Sequence, residues 1–272
     1  MYIFNIISLI FTIFNSKYLK IINYYDTMFI IEFILFNIYI FLQRGDEMNR
    51  TKVTVNITDY PHELYQFLEN AEIYDTSSHP SNKVLYSSNG YYIKISEKGA
   101  LKNEAELTRL FHQLEMGIPV ASYISVDKDY LVTLPAKGVD ATHCLNEPER
   151  LCCVLADTMK YLHSRPVENI PVSPCMDTYK TQLEAGILKQ DTVIHGDFCL
   201  PNIMLDNMKF STFIDVGLAG LGDRHIDIYW VLWSLDYNLK TDKYSDLFLD
   251  LYGRENFDPH VLGIVAQVEE QA

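Results

Sequence analysis

No two cysteines of this 272-residue sequence stand at C-x-x-C spacing, and their number is odd: Cys144, Cys152, Cys153, Cys175 and Cys199. A disulfide framework is not indicated, and a reduced, cytoplasmic setting fits the five thiols better. Basic residues are scarce as well, 22 Lys and Arg against 36 Asp and Glu, which gives a formal net charge of -14 at pH 7. Such a surface repels polyphosphate, which argues against nucleic acid as a partner, and it attracts a polycationic small molecule. Acidity by itself also serves solubility, so the sign of the charge gains meaning only beside a motif. Long polar tracts and internal periods are absent, and 48% of the residues are hydrophobic, so a folded core is expected.

An apolar run long enough to cross a bilayer is also missing. Residues 1–47 contain two apolar stretches, Met1 to Phe14 and Met28 to Leu42, both shorter than the roughly 20 residues that a spanning helix needs. Glu32 and Asn37 interrupt the second, so a membrane reading is not favoured. A signal peptide fits poorly too, because no basic leader or small-residue cleavage site frames the first stretch. The third reading is translated upstream sequence. Ile, Phe, Asn, Tyr and Lys use AT-rich codons, and Arg44-Gly45-Asp46-Glu47 can be written in almost pure purine codons of the ribosome-binding type just before Met48. The expectation is a native start at Met48, with residues 1–47 a non-native extension.

After Met48, Asp59, Pro61 and Glu63 mark a helix start, with Leu64, Phe67 and Leu68 along one face. Lys83 to Ser87 and Tyr91 to Ser96 flank Asn89-Gly90, which predicts a hairpin with a two-residue turn. A helix over about 101–115 carries Leu107, Leu110, Phe111 and Leu114 at helical spacing. A strand from Tyr130 to Leu134 ends at Pro135-Ala136-Lys137-Gly138, a break that could join two lobes. Beyond it the patterning is mainly helical: Leu151, Leu155, Met159 and Leu162 mark one helix, and Ile226 to Leu235 and Tyr244 to Tyr252 mark two more. Two short strands, Ile203 to Leu205 and Phe210 to Ile214, are joined by a turn at Asp206-Asn207. The fold class is α+β, with a small β-rich N-lobe over 48–135 and a larger, mainly helical C-lobe over 136–272.

The chemistry-bearing stretch is TVIHGDFCLPNIMLDNMKFSTFIDVGLAGLGDRHID, residues 192–227. It holds His195-Gly196-Asp197, then Asn202 five residues after the aspartate, then Asp215-Val216-Gly217. Phosphoryl transfer needs an acceptor hydroxyl in line, a carboxylate to take or orient its proton, and metal ions to offset phosphate charge. Asp197 is the candidate base. Asn202 and Asp215 supply the hard oxygen ligands that Mg2+ prefers, and the hairpin between them folds both toward one edge. H-G-D-x-x-x-x-N arises by chance roughly once in a thousand chains of this length.

The stretch HGDFCLPNIMLDN followed by FIDVGLAGLGDRHIDI resembles the signature of the aminoglycoside phosphotransferases, especially the 3'-hydroxyl class, over roughly Ile57 to Val268. The resemblance implies the bilobal protein-kinase-like fold, with ATP and Mg2+ as cofactors and a cationic aminoglycoside as partner. By it, Asp197 matches the catalytic aspartate, Asn202 and Asp215 the Mg2+ ligands, and Lys94 the lysine that holds the α- and β-phosphates. Glu106 matches the helix glutamate that pairs with that lysine, with Glu104 as the neighbouring candidate. Ser77 to Lys83, including Ser77 and Ser81, resembles the nucleotide-covering loop, and a solvated turn is the plain alternative there. Leu134 and Ala136 fall at the adenine-binding linker, where Pro135 occupies the position that needs no N–H. Asp227 matches an aspartate supporting the catalytic loop, against the simpler role of capping its own helix, and His195 matches a loop organiser.

Between Asp236 and Ala272 stand eight carboxylates against three Lys or Arg residues, and a polyaminated sugar needs acceptors of this kind. Asp236, Glu269 and Glu270 are the candidates, with solvated helix faces as the alternative. Two positions depart from the family pattern: many relatives place a basic residue where Leu218 and Trp233 stand here. The tail VAQVEEQA also differs. The expected activity is transfer of the γ-phosphate of ATP to an aminoglycoside hydroxyl, by resemblance the 3'-hydroxyl. The competing readings are a kinase of the same fold acting on a macrolide, choline or a metabolite, and a non-catalytic kinase-like binding module.

Overall fold

The computed structural model describes residues 51–77 and 83–271, so the expectation for residues 1–47, and Ser81 with it, lies outside the described residues. The described residues all belong to one compact unit. The edge strand β1 (Thr51–Val53) and its neighbour β2 (Ile73–Asp75), which the sequence pattern did not announce, bracket the expected first helix. That helix is two short 3-10 turns running into α1 (Tyr65–Leu68), and Leu64, Phe67 and Leu68 are buried.

Next come β3 (Lys83–Ser87) and β4 (Tyr91–Glu97), paired antiparallel with Ser87 opposite Tyr91. The turn between them is therefore three residues, 88–90, not two. Gly90 takes φ of 88° and its N–H donates to the Ser87 carbonyl, which fits the three-residue hairpin with glycine in the left-handed position. Helix α2 (Lys102–Gln113) follows, then β5 (Val120–Ser125) and β6 (Lys128–Thr133). The six strands form one antiparallel sheet in the order β1-β2-β3-β4-β6-β5. Its Leu85, Ile93, Ile95 and Val132 pack against Leu64 and Phe67 to make one core.

The chain leaves β6 through residues 134–138. Gly138 takes φ of 91°, and a Cβ there would stand 2.1 Å from the Leu205 carbonyl oxygen, so only glycine lets the connection pass this close. It then makes β7 (Val139–Asp140), α3 (Pro148–His163), α4 (Lys180–Glu184) and β8 (Thr192–Ile194). Strands β9 (Ile203–Leu205) and β10 (Phe210–Phe213) form a hairpin whose turn puts Asn207 and Met208 at φ of 52° and 58°. Strand β11 (Gly220–Gly222) pairs with β8, and α5 (Arg224–Leu239), α6 (Ser245–Tyr252) and α7 (Pro259–Glu269) complete the chain. The second core gathers Leu151, Leu155 and Met159 of α3, Phe198, Phe213 and Phe248. It also takes Leu107 and Phe111 of α2, so this helix is anchored in both halves of the unit.

Candidate active site

Strand β4 buries Ile93 and Ile95 and turns Lys94 to the opposite face, beside α2. The Lys94 ammonium lies 2.9 and 2.8 Å from the two Glu104 carboxylate oxygens and 2.8 Å from Asp215 Oδ1. The helix partner of the lysine is thus Glu104, not Glu106. Ala105, Leu107, Thr108 and Phe111 turn inward, which carries Glu104 toward the sheet and leaves Glu106 exposed on the far side. Burial works against the Lys94 charge, but Asp215 and Glu104 outweigh it and raise its pKa. Glu104 is pushed up by its own burial and by the Asp215 charge, with Lys94 offsetting part of this. One cation is shared between two carboxylates, and the surplus negative charge favours a further cation at Asp215.

Asp215 is held with φ of 55° and ψ of 49°, a left-handed conformation that a non-glycine residue seldom takes and that concentrates at functional sites. Just before it, Ile214 accepts a hydrogen bond from His195 Nε2 at 3.1 Å. The Nδ1 of the same ring accepts the Asp197 N–H at 3.3 Å, so the two partners fix the neutral tautomer with hydrogen on Nε2. His195 therefore ties the residue before Asp215 to Asp197. Its ring is fully buried against Phe198 and Phe213.

Asn202 donates its amide to Asp197, at 2.9 Å to the carboxylate and 3.0 Å to the carbonyl. That assignment leaves its side-chain oxygen for another partner, and the Asn202 carbonyl accepts the Ile214 N–H at 3.0 Å. Asn202 and Asp215 thus flank one hairpin end, as the sequence pattern predicts. No cluster of three or more His, Cys, Asp or Glu side chains is arranged for a metal among the described residues. One amide oxygen and one half-exposed carboxylate fit Mg2+, which keeps waters and phosphate oxygens among its ligands.

Beneath the loop, Asp227 is completely buried and accepts three hydrogen bonds: Gly196 N–H at 2.9 Å, His195 N–H at 2.9 Å and His163 Nε2 at 3.1 Å. It does not cap its own helix. Asp223 does, accepting the His225 N–H at 3.0 Å. Sequence reasoning missed His163, which reaches from the end of α3 and places its Nδ1 2.8 Å from the Tyr252 hydroxyl. Gly196 takes φ of 80°, and a Cβ on it would stand 2.1 Å from the Leu218 carbonyl oxygen. The loop carrying Asp197 can close against 217–219 only because residue 196 has no side chain.

The other candidates distribute unevenly. The Ser77 hydroxyl accepts the Val84 N–H and its own N–H donates to Asp75, so it shapes the β2–β3 connection. The Leu134 N–H donates to the Pro119 carbonyl at 3.1 Å, which pins the start of the linker, and Ala136 is half-buried behind it. Tyr92, also missed, lies two residues from Lys94 on the same face and opposite Thr133, the residue before the linker. Asp236 accepts from the Ser245 hydroxyl, and burial pushes its carboxyl up. Glu269 accepts from the Tyr179 hydroxyl, and Glu270 is exposed. Burial raises the pKa of Tyr229, and the charges of Glu269 and Glu270 add to the rise. Cys199 is pushed up by burial and by Asp197, so it is an inert thiol. A cavity of about 600 Å³ lined by Lys189, Arg224 and Asn256 lies at the start of α5, away from Asp197.

The sequence profile of the phosphotransferase enzyme family fits residues 173–263. A Lactococcus lactis protein named a probable aminoglycoside 3'-phosphotransferase is 36% identical over 257 residues, covering 81% of this chain and 98% of its own. The aminoglycoside 3'-phosphotransferase of Niallia circulans is 38% identical over 161 residues, 54% of this chain and 60% of its own. Among solved structures, an aminoglycoside phosphotransferase from Streptomyces rimosus in complex with ADP and streptomycin superimposes with a TM-score of 0.62 at 18% identity, over 79% of this chain and 98% of that one. The fold is therefore the kinase-like fold expected from the sequence, and the chain belongs to the aminoglycoside phosphotransferase family.

Proposed function

We propose that the protein transfers the γ-phosphate of ATP to the 3'-hydroxyl of an aminoglycoside, and so confers resistance to it. The observation that carries the reading is the convergence of Lys94, Glu104 and Asp215 on one side with the Asn202-braced Asp197 on the other, linked through His195. The named activity of the Lactococcus lactis relative, matched over nearly its whole length, supports the choice of acceptor.

In this reading the acceptor oxygen bonds to the γ-phosphorus as its bond to the ADP oxygen breaks, and the hydroxyl proton passes to Asp197. Asn202 holds that carboxylate in one orientation by donating to Oδ2, and the Asp227 bonds to His195 and Gly196 fix the loop beneath it. Lys94, braced by Glu104, donates to phosphate oxygens. The Tyr92 ring supplies an apolar surface for the base, with the Leu134 carbonyl and Ala136 N–H at its edge. Asn202 and Asp215 would hold Mg2+, which would supply positive charge against the phosphates. All three chemical groups are present, which weighs against a binding module without turnover.

The test is ADP release coupled to NADH oxidation, with Mg2+-ATP and kanamycin, neomycin or analogues lacking the 3'-hydroxyl. Turnover that disappears with the 3'-hydroxyl is the expected result. A folded protein that binds ATP yet turns over none of these compounds would move the acceptor to another alcohol.

A further inference from the structure

Helix α5 carries a row of aromatic side chains that the catalytic scheme does not use. Trp230, Trp233 and Tyr237 follow one another at steps of three and four residues, Tyr229 directly precedes them, and neighbouring rings are in contact along the row. The Trp233 and Tyr237 rings are stacked, 5.1 Å apart and 8° from parallel, and the Trp230 and Trp233 rings meet edge to face at 5.7 Å. Trp233 is 45% exposed and Tyr237 58%, so the stacked pair leaves a large aromatic surface open to solvent.

The position of the row is as informative as its exposure. The Leu200 N–H, three residues past Asp197, donates to the Ser234 hydroxyl at 3.0 Å, and the Cys199 thiol lies 3.9 Å from the Trp230 carbonyl oxygen. The turn bearing Trp230 and Trp233 is therefore the support of the catalytic loop. The row begins at Tyr229, where Tyr229 and Trp230 pack with Val261 and Val268 of α7, the helix that ends at Glu269. The exposed rings of Trp233 and Tyr237 thus continue the helix from the turn that contacts the catalytic loop. The far end already holds a cation: the Lys240 ammonium stands 4.0 Å above the Tyr237 ring. That contact shows within the molecule that this row accepts an ammonium on a ring face.

We propose that Trp233, backed by Tyr237, is the specificity platform of the acceptor site, stacking on the C–H face of one amino-sugar ring and taking an adjacent ammonium over the indole. This deepens the aminoglycoside reading and rests on it. Acceptors with an ammonium-bearing ring are favoured, and neutral alcohols of similar size are not.

The test separates the acceptor from the nucleotide. Steady-state kinetics of Trp233→Ala, Trp233→Phe and Tyr237→Ala are measured with kanamycin and Mg2+-ATP. Trp233→Ala is expected to raise KM for kanamycin about tenfold, the size of a desolvated cation–ring contact, while KM for ATP stays within twofold. Trp233→Phe is expected to recover most of that loss, which a merely structural role for the bulky ring would not predict with ATP kinetics unaltered. In a Trp230→Phe background, Trp233 is the remaining tryptophan, and kanamycin is expected to change its emission in a saturable manner. An unchanged kanamycin KM in Trp233→Ala, in an enzyme whose wild type turns over kanamycin, overturns the platform and leaves the aminoglycoside reading standing. A wild type that turns over no aminoglycoside overturns both.

Discussion

The ion pair between β4 and α2 gives the sharpest prediction, because the structure chooses between two glutamates that stand only two residues apart. Glu104 and Lys94 are 12% and 19% exposed, so their attraction is weakly screened, whereas Glu106 faces solvent. Glu104→Gln retains one hydrogen bond to the ammonium but removes the charge, and Lys94 then turns wholly to Asp215. In the proposed mechanism the substitution thus costs twice: phosphate contacts lose their braced donor, and the Asp215 carboxylate becomes harder to free for a metal ion. Loss of one partner of a largely buried pair is worth about 1–3 kcal/mol, which predicts a fall of roughly 5- to 150-fold in kcat/KM for ATP. Glu106→Gln should stay within about twofold, as surface charges do. Both variants are compared in the coupled ADP assay, with thermal melts to establish that they fold. Equal losses, or a larger loss at Glu106, would refute the assignment of Glu104.

Asp197→Ala should lower turnover by roughly two to four orders of magnitude while nucleotide binding, followed by quenching or calorimetry, remains near that of the wild type; unaltered turnover would exclude it as the base. Gly196→Ala should destabilise the protein by more than about 1 kcal/mol and remove most activity, since residue 196 sits at positive φ against the Leu218 carbonyl; a wild-type melt and rate would contradict the close approach. Asp223→Asn gives a pH signature. Burial pushes this carboxyl up, but hydrogen bonds from His225 and Lys189 outweigh it and hold its pKa below the ordinary value. A carboxyl lowered in the folded state adds stability above its unfolded pKa and loses it as pH falls below that. The wild type should therefore melt higher than Asp223→Asn at pH 7 and lose this advantage as the pH drops through about 4; a gap that does not depend on pH would show that the charge is irrelevant.

The parts of this molecule that short segments decide were legible in the sequence, and the parts that tertiary packing decides were not. The loop from His195 to Asn202 and the β9–β10 hairpin are local, so motif spacing and turn chemistry located Asp197, Asn202 and Asp215 correctly relative to one another. Strands β1 and β2, three residues each, have no period long enough to announce them and exist by pairing along the sheet edge. The glutamate was ambiguous for a geometric reason. Leu107, Leu110, Phe111 and Leu114 define a stripe about equally far round the helix from Glu104 and from Glu106, which stand about 200° apart. In the fold Leu110 and Leu114 are only half-buried, while the small Ala105 and Thr108 are buried, and that rotates the inward face onto Glu104. Asp227 had a usable signal that composition obscured. Asp223 stands directly before the helical run and satisfies its N-terminus, so a second aspartate one turn inside the helix had no cap left to make. An unassigned carboxylate on a buried helix face needs donors from elsewhere, and here they are the two N–H groups of the turn that leads into Asp197.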